Sequence, residues 1–72
     1  MEPSPEVVDA VIDRYVAWRE QSAAVNSAYA AWSRAPVADR EPAFEHYVTA
    51  LDREEHAAAA YRRVIERLLT ER

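Results

Sequence analysis

The 72-residue chain contains no cysteine, no glycine and no lysine. Without cysteine there are no disulfides and no thiolate metal sites, a composition that suits a reducing cytoplasm. Without glycine there is no loop able to cradle a phosphate, and the residue that most weakens helices after proline is missing. No run approaches the roughly 18 consecutive apolar residues of a membrane span. The charged start offers no signal peptide, so a cytoplasmic location is expected. A net charge of −4 argues against a general affinity for nucleic acid or anionic membranes.

What is present is helix-forming. Fifteen residues are alanine and all nine cations are arginine, a bias that points to GC-rich, bacterial coding. Alanine has the highest helix propensity of any residue. The four prolines lie at or beyond the ends of two long periodic segments. Ser4-Pro5-Glu6 reads as a helix start, with Ser4 as N-cap, Pro5 at the first helical position and Glu6 against the positive end of the dipole. Nothing interrupts the pattern until Pro36. Pro42 disfavours helical angles at Glu41, so Asp39 or Glu41 is the expected cap of a second helix. The expected layout is one domain: helix 5–33, turn 34–41, helix 42–70.

A 3-4 spacing picks out Val8, Val11, Tyr15, Trp18, Ser22, Val25, Tyr29 and Trp32 in the first segment. In the second it picks out Phe44, Tyr47, Leu51, Glu54, Ala58, Tyr61, Ile65 and Leu68. Four heptads in each helix predict coiled-coil-like packing. If the chain folds back near residue 38, facing residues have numbers that sum to 76. Trp32 then meets Phe44, Tyr29 meets Tyr47, Tyr15 meets Tyr61, and the bulky Trp18 faces the small Ala58. The predicted fold class is therefore all-α, an antiparallel two-helix hairpin. Its predicted core and interface residues are Tyr15, Trp18, Tyr29, Trp32, Phe44, Tyr47, Leu51, Tyr61, Ile65 and Leu68. Tyr15-x-x-Trp18 recurs 14 residues later as Tyr29-x-x-Trp32, two heptads on, which reads as repeated core spacing rather than duplication.

The apolar stripe is wider than one hairpin can cover. Val48, Ala50, Ala57, Val64 and Leu69 flank the second seam. Ile12, Val16 and the row Ala10, Ala17, Ala24, Ala31 flank the first. Small scaffolds of this size generally need a staple or a partner chain. The expected solution is a two-fold dimer forming a four-helix bundle.

One layer is polar. Ser22 and Glu54 fall on the seam, and Arg19 is placed to face Glu55 across the helices. Such a layer commonly fixes register; a ligand pocket is the alternative. Metal chemistry finds little support, because the Glu-x-x-His motif of di-iron bundles is missing: Ala43 and Arg53 stand three residues before His46 and His56. Asp52 and His56, at i and i+4, read as a surface pair. No serine, threonine or histidine sits with a recognisable base and orienter, so no enzyme activity, cofactor or metal is expected. Arg62, Arg63, Arg67 and Arg72 form a basic end, expected to be neutralised by Glu6, Asp9 and Asp13 of the antiparallel neighbour.

Trp32-Ser33-Arg34 at the bend resembles the turn of small secreted helical hairpins named for Trp-x-Gly. The glycine of that turn is absent. Tyr61 is followed four residues later by Ile65, where that family carries an acidic residue. Only the hairpin shape and one tryptophan are shared, and no family is assigned. The expected function is a non-catalytic protein–protein interaction or assembly module acting as a homodimer, with another protein as a further partner. The alternative is a small nucleic-acid-associated regulator that uses the arginine-rich end of the second helix, with a ligand- or metal-binding helical bundle centred on Glu54 ranked third.

Overall fold

The computed structural model describes residues 3–70. Two helices, α1 (Pro5–Arg34) and α2 (Arg40–Thr70), are joined by a 3₁₀ turn at Val37–Asp39 and pack against each other along their length. Among the described residues there is no strand, and no helix is long and apolar enough to cross a membrane.

Local chemistry explains the boundaries. Ser4 is extended (φ −68°, ψ 149°) and its Oγ accepts the Val7 N–H at 3.3 Å. Its carbonyl accepts the N–H groups of Val7 and Val8 at 3.1 Å, so the cap sits where the Ser-Pro-Glu start places it. At the other end Ala35 turns extended (φ −67°, ψ 135°), the conformation that a following proline favours.

The bend is shorter than the prolines suggest. α2 begins at Arg40, so Glu41 is helical and does not cap; Asp39 directly precedes the helix, its N–H donating to the Pro36 carbonyl at 2.9 Å. Pro42 is tolerated inside the first turn because N–H groups there have no intrahelical acceptor to lose. No described residue adopts a positive φ, so a chain without glycine makes this reversal at no conformational cost.

The hairpin is a rod. Its extents are 58 × 13 × 12 Å and its radius of gyration is 16.4 Å, against about 11 Å for a compact domain of this length. Among the described residues only Val7 and Ala50 are buried. The seam runs through Val7, Val11, Trp18, Val25 and Trp32 on α1 and through Tyr47, Ala50, Glu54, Tyr61 and Leu68 on α2, most of them half-buried.

Part of the expected seam is displaced by one residue. Val7 is 2 % exposed where Val8 is 39 %, and Ala50 is 9 % exposed where Leu51 is 40 %. Ala43 is likewise more covered than Phe44. On α2 small residues line the contact, which lets the helices approach closely. The bulky neighbours one position later swing onto a flank. Val8, Tyr15 and Tyr29 therefore join Phe44 and Leu51 as half-exposed groups rather than core.

Candidate interaction surface

The two sides of the hairpin are unlike. On one side Trp18 borders a hollow of about 400 Å³ whose other walls are Ala58, Tyr61, Arg62 and Ile65. The exposed Val8, Tyr15, Tyr29, Phe44 and Leu51 recur at heptad spacing along that same side. On the other side Arg14 faces α2 across a hollow lined by Ala60, Arg63, Val64 and Arg67. The wide apolar stripe of the sequence thus becomes one aromatic face and one face of alanine and arginine.

The aromatic face is built from a repeated unit. Tyr15 and Trp18 lie 6.0 Å apart at 67°; Tyr29 and Trp32 lie 6.1 Å apart at 71°. Trp18 stacks on Tyr61 at 5.6 Å and 10°, and Trp32 stacks on Tyr47 at 5.5 Å and 14°. Tyr15 meets Tyr61 and Tyr29 meets Tyr47, both at 5.6 Å, as the expected register requires. Moving 14 residues forward in α1 and 14 back in α2 turns one cluster into the other.

Among the positions at which the clusters differ, two bear on their packing and polarity. Beside Trp32 stands Phe44, its ring 5.0 Å away, whereas the corresponding neighbour of Trp18 is Ala58. At the Trp32 cluster the phenyl ring takes the place that Ala58 leaves to a hollow at the Trp18 cluster. Trp18 Nε1–H donates to Glu54 Oε2 at 3.0 Å, while the residue corresponding to Glu54 beside Trp32 is Arg40, which lines a hollow with Tyr29, Trp32 and Ser33.

That hydrogen bond accounts for the seam carboxylate. Glu54 is half-buried, and burying a carboxylate is costly unless its oxygens are bonded. Its partner is an indole one turn from Ser22, a donor that the facing-pair register did not indicate. Ser22 is half-buried on the seam. Arg19 does not pair with Glu55: its guanidinium lies over the Trp18 ring, 5.8 Å from the centroid. Glu55 instead borders an outer hollow with Asp52, His56 and Ala59.

Asp52 and His56 form the expected surface pair. His56 Nδ1 lies 2.8 Å from the Asp52 carbonyl oxygen and 3.7 Å from its carboxylate. The bond to the carbonyl, followed by the charge of Asp52, raises the His56 pKa above its ordinary 6.5. Among the described residues no group of three or more His, Asp or Glu is placed to hold a metal ion. None of the described residues forms an ion pair between the acidic start of α1 and the arginines of α2; Arg72 lies outside the described residues. Arg14 gathers instead with Arg63 and Arg67.

Comparison with known proteins returns nothing: no family model, no curated protein and no solved structure matches the chain.

Proposed function

We propose that this protein is a non-catalytic assembly module of the cytoplasm, working as a homodimer whose aromatic faces are mutually buried in a four-helix bundle. The observation that carries this reading is the disproportion between surface and core. The hairpin exposes 5570 Å², against about 4500 Å² for a compact monomer of its mass. The excess of about 1000 Å² is of the order that each partner of a standard interface buries, near 800 Å². With two buried side chains among the described residues, one copy alone gains little from folding.

Coupled folding and association has a direct signature. The midpoint of thermal unfolding, followed by circular dichroism, rises with protein concentration when the dimer is the stable form. A midpoint unchanged over a hundredfold dilution contradicts the reading.

A second reading has one observation behind it. Arg14, Arg63 and Arg67 surround a single hollow of about 290 Å³, an arrangement suited to a phosphate of nucleic acid. Retardation of nucleic acid at low salt, lost steeply as salt rises, supports this regulator reading. No retardation at low salt removes it.

A further inference from the structure

Within the dimer reading, on which this inference rests, the geometry points to one arrangement: the second copy packs antiparallel and seats its Phe44 in the hollow over Ala58. The hairpin supplies its own template for that contact. At the Trp32 cluster a phenyl ring packs 5.0 Å from Trp32 and 6.4 Å from Tyr47, on the side away from the hollow that Arg40 lines. At the Trp18 cluster the same indole–phenol stack is repeated, but Ala58 leaves the ring's place to a hollow of about 400 Å³. The group that fits such a hollow is the kind that fills its counterpart, a large apolar side chain. Phe44 remains 44 % exposed after packing on its own cluster, and it lies on the same stripe of α2 as Ala58, two heptads away.

A two-fold axis makes the fit reciprocal. Placing Phe44 of each copy over Ala58 of the other sets the axis at Leu51, midway between them in sequence, so the two exposed Leu51 side chains meet. Continuing the same antiparallel register brings Ile65, a wall of the hollow, opposite the second copy's Val37, which is 84 % exposed at the bend. The register also brings Arg62 towards the second copy's Arg40; Glu66 and Glu41 flank these cations and offset their repulsion. A parallel dimer would set hollow against hollow and leave both unfilled.

The test exchanges knob and hole. Phe44→Ala sets hole against hole, and Ala58→Phe sets ring against ring. The double variant carries the ring at 58 and the gap at 44, which restores the complement with the roles reversed. Dissociation constants from sedimentation, with helicity checked by circular dichroism, are expected to rise about 30-fold or more for each single variant, the scale of a buried aromatic contact. The double variant is expected to recover to within about tenfold of the original. Additive losses in the double variant, or an unchanged constant in Ala58→Phe, overturn the arrangement and leave the dimer standing. A monomeric unmodified protein overturns both. Should a single variant lose its helicity, the Trp18 indole N–H resonance of the unmodified protein decides: it shifts on dilution if the hollow is filled in the dimer, and stays put if it is not.

Discussion

Trp18 donates its indole N–H to the carboxylate of Glu54 across the hairpin, at 3.0 Å. The bond ties the seam's one acidic side chain to the aromatic cluster and gives the polar layer a defined partner. Hydrogen bonds to charged groups contribute about 1.5–3 kcal/mol when well buried. This pair is half-buried, so Glu54→Ala is expected to cost about 1 kcal/mol. Glu54→Gln keeps an acceptor and should cost less than half of that. Denaturant titration followed by tryptophan fluorescence checks both; equal losses for the two variants would show that the carbonyl acceptor is irrelevant.

The seam tolerates little bulk where alanine lines it. Ala50 is one of two buried residues among those described, and replacing it with leucine forces the helices apart. Overpacking of this kind costs about 1–3 kcal/mol. Ala24→Leu, on the exposed part of the alanine row, should leave stability within about 0.5 kcal/mol. A harmless Ala50→Leu variant would place the true seam elsewhere.

The N-terminal cap gives a separable prediction. Ser4→Ala removes the side-chain acceptor for Val7 N–H and should lower stability by about 1 kcal/mol, with Ser4→Asp close to the original. Amide exchange at Val7 and Val8 reports the fraying directly. Unchanged exchange in Ser4→Ala would remove the cap from the account.

These particulars show what the sequence disclosed. Ser4-Pro5-Glu6 announced the helix start because capping is a local rule. The hairpin register was legible because Trp32 with Phe44, Tyr29 with Tyr47 and Tyr15 with Tyr61 each close a layer. The choice between Val7 and Val8, or between Ala50 and Leu51, was not legible. Both members of each pair are apolar, and a 3-4 pattern cannot say which one a small-residue contact will bury. The Trp18–Glu54 bond also escaped, because long side chains reach diagonally past the facing layer. The Pro42 boundary misled because a proline only biases the residue before it away from helical angles, and in a first turn Pro42 takes no N–H from an intrahelical bond, so Glu41 is helical.

His56 gives the pH dependence. Its pKa stands above 6.5, chiefly through the bond to the Asp52 carbonyl and secondarily through the Asp52 charge. A raised folded-state pKa gives a contribution that is complete below 6.5 and is lost as pH rises through the folded value. The side chain is fully exposed, so the effect is read at the histidine itself. Titration by NMR should give a midpoint above 6.5, lowered in Asp52→Asn but not abolished, since the carbonyl remains. A midpoint at or below 6.5 in the unmodified protein contradicts the contact.

The most direct test of the central claim is the solution mass over a concentration series, by light scattering coupled to size-exclusion chromatography. The chain weighs 8.2 kDa, and the aromatic face predicts a species of twice that mass which persists at micromolar concentration. A fully helical species of 8.2 kDa throughout the series would contradict it, and would leave that face for a different protein to cover.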